Sequence, residues 1–153
     1  MIKLQYLPPP AELAAFVSAY YLFETDEASF EDLERADIAK FRVVLAGEGE
    51  VIFGDGHRQA FFPITLMGPR TKASRIFVRG PARVFGGGLL PAGWAAITGL
   101  PADKYANRLI DATTVLGDVL VETAARMAQM DSVDAMAALM TERSVRFSDA
   151  LAK

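Results

Sequence analysis

The sequence has no cysteine, so it holds no disulfide, no thiolate zinc site and no thiol nucleophile. Histidine is almost as scarce. His57 alone cannot supply a cluster of imidazole metal ligands, and a Ser-His-Asp relay would have to be built on that one residue. Positive charge is not in excess either: 16 Lys and Arg stand against 19 Asp and Glu, a net charge of −3. Proteins that bind nucleic acid normally present a basic face, so this balance argues against that role for the chain as a whole. A long apolar helix is missing too. Residues 84–102 carry no charge, but Gly86, Gly87, Gly88, Pro91, Gly93, Gly99 and Pro101 would break a membrane helix there. The first six residues lack a charged segment followed by an apolar stretch, and Pro8-Pro9-Pro10 soon interrupts them. A cytoplasmic protein with no membrane partner is the expectation.

What is present is a hydrophobic content of 52% over 153 residues, enough for one domain with a real core. Residues 1–90 read mostly as β. Residues 11–16 allow one helical turn, and Val17 to Phe23 is an aromatic-rich strand. Residues 24–37 hold seven acidic residues against Arg35 and read as a solvated loop. Strands follow at Ile38–Leu45, Glu50–Phe53 and His57–Phe62, the last two flanking a Gly54-Asp55-Gly56 turn. Further strands are expected at residues 63–68, at 73–79 and, after Gly80-Pro81, at 82–90. Seven or eight short strands suggest a barrel or sandwich. Residues 91–153 change to helical spacing: a short helix from Pro91, another over 102–108, and two longer amphipathic ones from Thr114 and from the Asp131-Ser132 cap.

Candidate sites are few. His57 reads as an exposed hairpin residue. Gly86-Gly87-Gly88 lacks the partners of a phosphate loop or nucleophile elbow and reads as a bulge or a close backbone approach. Residues 51–100 carry six basic residues against Asp55 alone, whereas residues 1–50 carry four against ten acidic ones. Outward strand positions screened by the acidic segment explain this; an anion-recruiting mouth is the sharper alternative. Arg70, in a loop, is the most eligible of these for ligand contact. With it, Tyr20, Arg42, Phe53, Phe85 and Trp94 form the candidate ligand-binding set, an apolar lining with a few polar groups. Leu116, Leu120, Met127, Met136, Met140 and Phe147 form a helical stripe that covers the barrel, pairs with a second subunit in a homodimer, or both. No catalytic set, metal site or cofactor is expected.

Three stretches carry a resemblance: Leu7-Pro8-Pro9-Pro10-Ala11-Glu12-Leu13 with Tyr20-Tyr21-Leu22-Phe23, then Leu66-Met67-Gly68-Pro69-Arg70-Thr71, then Val78 to Gly86 running into Leu90-Pro91-Ala92-Gly93-Trp94. Gly99-Leu100-Pro101-Ala102 and Asn107-Arg108-Leu109-Ile110-Asp111 continue the pattern. In this order they resemble the N-terminal domain of a subgroup of AraC-type transcriptional regulators. The resemblance implies a cupin-like, jelly-roll type β-barrel followed by two longer helices. It also implies sensing of an unknown small-molecule effector, dimerisation, and DNA contact only through a C-terminal helix-turn-helix domain that these 153 residues lack. A small cupin-fold enzyme or a stand-alone ligand-binding barrel is the alternative.

Overall fold

The computed structural model describes the backbone of residues 1–152 and the side chains of residues 1–144. Its strands are β1 (Ile2–Leu7), β2 (Val17–Thr25), β3 (Ser29–Glu34), β4 (Ala39–Ile52), β5 (Arg58–Ala60), β6 (Ile64–Met67), β7 (Ser74–Leu89) and β8 (Leu109–Asp111). The helices are α1 (Pro91–Thr98), α2 (Ala112–Leu116), α3 (Val119–Met127) and α4 (Val133–Ala152). The chain is thus mainly antiparallel β, with helices towards its C-terminal end.

All eight strands share one sheet, ordered β1-β2-β7-β4-β6-β8, with β3 beside β7 and β5 beside β4. Two strands are long enough to serve both arms of it. Residues 82–89 of β7 pair with β2, and residues 74–79 pair with β3. In the same way β4 meets β6 near its start and β5 near its end. The β4–β7 register slips twice between Val44 and Glu48, and Gly47 there has φ +85°. Such bulges bend a strand, which lets one sheet curl around an inner face.

Alternation along the strands assigns the two faces. Tyr20, Leu22, Val43, Leu66, Phe85 and Leu89 form the outer face, buried in one cluster with Trp94, Leu120, Met127, Met136 and Met140. The helices therefore cover the outside of the curl. On the inner face, Val51, Phe53 and Met67 pack with Leu109, Phe61 and Phe62 and fill one half. The other half stays open.

Several expected boundaries move. The acidic segment is not a loop throughout, because Ser29–Glu34 pairs with β7 and sets Phe30 against Val78. The strands expected at 38–45 and 50–53 are one strand, and so are those at 73–79 and 82–90; cross-strand pairing continues past Gly47 and past Gly80-Pro81. The helix expected over 102–108 is a short 3-10 turn over Ala102–Tyr105. Asn107, at φ +58°, then turns the chain into β8. The Gln59 side chain completes this short edge strand: its Oε1 accepts from Leu109 N at 2.7 Å, and its Nε2 donates to Leu109 O at 3.1 Å. Residues 91–153 are thus not purely helical. The helix expected from Thr114 is divided by Gly117, φ +83°, a backbone state that ends α2 at no cost only for glycine. Asp111 caps α2 by accepting from Thr113 N at 3.0 Å, and Ser132 Oγ accepts from Ala135 N at the start of α4.

Candidate site in the open half of the sheet

The open half of the inner face holds a cavity of about 420 Å³, the size of a small-molecule site. Every element of that half contributes. β1 gives Ile2, Leu4 and Tyr6; β2 gives Tyr21 and Phe23; β3 gives Phe30, Asp32 and Glu34; β7 gives Ile76, Val78 and Val84. Lys40 and Arg42 of β4 close one end. The register explains the convergence, since Leu4 lies opposite Phe23, Phe23 opposite Val84, and Phe30 opposite Val78.

The lining has an apolar body and one polar end. At that end Arg42 Nε donates to the Tyr21 hydroxyl at 2.9 Å, and Arg42 Nη2 donates to Glu34 at 2.7 Å. Behind Glu34 lies Arg70, whose Nη1 pairs with the same carboxylate. One carboxylate thus bridges two guanidinium groups. Lys40 Nζ adds an ion pair of 3.1 Å with Asp37. Burial by itself would raise the Glu34 pKa, but the charges of Arg42 and Arg70 outweigh it and hold the carboxyl below its usual range. Burial likewise opposes the charge on Arg42, and its interactions with Tyr21 and Glu34 more than offset that, so it stays protonated. Burial pushes the Tyr21 hydroxyl pKa up, which keeps it neutral. Phe61 closes another side, its ring centroid 5.7 Å from Arg42 Cζ.

Gly86 makes room for this arrangement. It sits in β7 opposite both Tyr21 and Arg42, and a Cβ there would lie 2.5 Å from the Tyr21 hydroxyl oxygen. The glycine run is a place of close approach, as its lack of motif partners suggested.

The six candidate ligand residues separate. Arg42 alone lines the cavity. Arg70 is next to it but 3% exposed, held behind Glu34; its backbone exchanges hydrogen bonds with Asp37 at 2.9 and 3.1 Å. Phe53 belongs to the filled half of the inner face and stacks on the exposed His57. Tyr20, Phe85 and Trp94 lie on the outer face under the helices. There Tyr20 stacks on Phe85 at 5.7 Å and reaches Thr141 Oγ1 at 3.1 Å, while Trp94 Nε1 donates to Leu100 O at 2.8 Å. Tyr21, Phe23, Phe30 and Glu34 were missed. The period-2 rule separates Tyr20 from Tyr21 once the strand is placed, but it does not say which face is lined by helices.

In the helical stripe, Leu120, Met127, Met136 and Met140 are buried against the sheet, with Leu116 half-buried beside them. Those side chains cover the protein's own core. Phe147 lies outside the described side chains. The basic surplus of residues 51–100 is largely spent outside: Arg58, Arg75 and Arg79 are exposed and face Glu50, Glu31 and Glu48 at 3.5–3.8 Å. Among the described residues, no three His, Asp or Glu side chains converge as metal ligands, and no helix is long and apolar enough to cross a membrane.

A family model described as a domain of unknown function, DUF6597, matches residues 5–111, which end at the last residue of β8. No curated protein matches the sequence. Among solved structures, the AraC-like transcriptional activator CuxR is similar over 99% of this chain and 59% of its own, at 12% identity and a TM-score of 0.53. The EutQ protein of Clostridium difficile is similar over 63% of this chain and 66% of its own, at 21% identity and a TM-score of 0.38. Vicilin of hazelnut, Corylus avellana, covers 76% of this chain and 42% of its own, at 11% identity and a TM-score of 0.43. The chain spans somewhat more than half the length of CuxR, with which it shares its fold.

Proposed function

The chain belongs to the DUF6597 family, a domain of unknown function, and from that premise we propose that it is the sensing domain of an AraC-type transcription regulator. In this reading it is a cupin-like barrel that takes a small effector into the open half of its inner face. The observation that carries it is the cavity itself: about 420 Å³, mostly apolar, with a fixed polar end at Arg42, Glu34 and Tyr21. The fold shared with CuxR over nearly the whole chain supports it. DNA contact would belong to a segment outside these residues. The domain works in the cytoplasm and binds without catalysing a reaction.

The two faces of the sheet supply a route for the signal. A ligand against Tyr21 bears on β2, whose next side chain, Tyr20, reaches Thr141 of α4. A ligand against Val84 bears on β7, where Arg83 Nη2 donates to Met130 O between α3 and α4 at 2.5 Å. Differential affinity for two arrangements of these helices would shift their populations. A homodimer would pair outside the core-bound stripe, through the side of α3 that exposes Val121.

A thermal-shift screen with a small-metabolite library tests the reading, run beside Val84→Trp, which fills the cavity. Hits should stabilise the wild type and not the variant, and transcripts in the source cell should respond to a hit only with the wild-type allele. No hit, or hits indifferent to the filled cavity, would sink it.

A further inference from the structure

We propose that the ligand of this cavity is an apolar organic cation, an aromatic or alkyl amine whose ammonium group lies by the Asp32 carboxylate while its body packs among aromatic rings; this rests on the cavity being a ligand site. The starting point is a carboxylate left over. The charged side chains lining the cavity are Lys40 and Arg42 against Asp32, Glu34 and Asp37, one carboxylate in excess. Two of the three are already matched. Glu34 bridges Arg42 and Arg70, while Asp37 pairs with Lys40 at 3.1 Å and more loosely with Arg70 at 3.8 Å. Asp32 has no ion-pair partner among the described residues; one of its oxygens accepts from Leu33 N at 2.8 Å, and no hydrogen bond engages the other. Strand alternation puts it on the cavity side of β3, between Phe30 and Glu34.

The walls favour the same charge. Tyr6, Tyr21, Phe23, Phe30 and Phe61 all line the cavity. They come partly in pairs, with ring centroids 6.4 Å apart for Tyr6 and Tyr21 and 5.4 Å apart for Phe23 and Phe30. The face of an aromatic ring is electron-rich, so it attracts a cation and offers an anion nothing. Phe61 already uses this attraction on Arg42. The free carboxylate and the rings are thus two separate preferences for positive charge. Asp32 is exposed, so an ammonium group beside it keeps part of its hydration while the apolar body reaches inward.

The test is a calorimetric comparison of three probes of similar shape on the unmodified protein: naphthylmethylamine, naphthylmethanol and naphthaleneacetate. The protonated amine should bind about tenfold tighter than the neutral alcohol, and the acid should bind worst. Asp32→Asn, at an exposed position, should weaken the amine about threefold and leave the alcohol unchanged. Added salt should act in the same direction on the wild type. Val84→Trp, checked for folding by circular dichroism, should abolish both amine and alcohol binding; Leu4→Trp at the half-exposed mouth blocks the cavity without touching the core. If amine and alcohol bind alike and the blocked variants lose both, the cation assignment is overturned while the cavity stands as a ligand site. An amine preference that survives Asp32→Asn undiminished, amine binding that ignores both blocked variants, or no binding of any of the three overturns it as well.

Discussion

The hydroxyl of Tyr21 accepts a hydrogen bond of 2.9 Å from Nε of Arg42, and the two side chains meet over the strand position held by Gly86. Three neighbouring strands thus combine to build one polar contact, and the middle one contributes only by having no side chain. The contact fixes the guanidinium of Arg42 in the cavity wall and, through Nη2, orients Glu34.

Gly86→Ala should therefore be costly out of proportion to one methyl group. The new Cβ would stand 2.5 Å from the Tyr21 oxygen and 2.6 Å from the Phe41 carbonyl oxygen, and the latter is held in the sheet. Overpacking of this kind costs about 1–3 kcal/mol, readable as a lower urea midpoint with unchanged slope. Tyr21→Phe should cost about 1–2 kcal/mol, because it leaves Arg42 Nε without its acceptor. A neutral outcome for both would mean that the contact does not anchor Arg42.

Glu34 makes the protein sensitive to acid in a defined window. Its pKa is depressed in the fold relative to the ordinary value of 4.5, so its contribution to stability is fully present above that value. That contribution fades as pH falls through the lower, folded-state value. Glu34→Gln should cost on the order of 3 kcal/mol near neutral pH, where Arg42 and Arg70 lose a shared counter-charge. The gap between wild type and variant should then close as pH drops below 4.5. Urea titrations of both proteins across that range check it; a constant gap would assign the loss to packing instead.

Much of the layout was legible from local chemistry. The Gly54-Asp55-Gly56 hairpin, the strand at 64–67, the helix opening at Pro91 and the Ser132 cap all follow from residues whose backbone preferences act within a few positions. What was illegible depends on partners far along the chain. Ser29–Glu34 looks like an acidic loop until β7, from Ser74 to Arg79, supplies its ladder partners far along the chain. Leu109–Asp111 becomes a strand because β6 and Gln59 receive it. The site has the same character. Arg42 was named as one of the few polar groups an apolar lining needs, but its acceptors, Tyr21 and Glu34, come from other strands. Tyr20, Phe85 and Trp94 have the residue types of a lining and lie on the outer face, where the helices use them as core.

Trp94 is the only tryptophan in the chain and is 2% exposed, with its indole N–H satisfied by the Leu100 carbonyl. Its fluorescence should therefore be blue-shifted in the fold and should red-shift in a single transition on unfolding. Trp94→Phe should lower stability by about 1–3 kcal/mol, through a smaller ring and an unsatisfied carbonyl, without altering the cavity on the other face of the sheet. A ligand that binds the wild type should bind this variant with similar affinity; a large loss would put Trp94 back in the site.

The two faces of the C-terminal helices should separate core from association. Met136 is completely buried, so Met136→Glu places a charge in the core and should unfold the domain, a cost above roughly 3 kcal/mol. Val121 is 55% exposed, so Val121→Glu should change stability by no more than about 0.5 kcal/mol. If the domain dimerises through the outer face of α3, native mass measurements at micromolar concentration should give a dimer for the wild type and a folded monomer for Val121→Glu. A wild-type monomer under those conditions would rule out the helical dimer, and a dimer that survives Val121→Glu would move the interface to another surface.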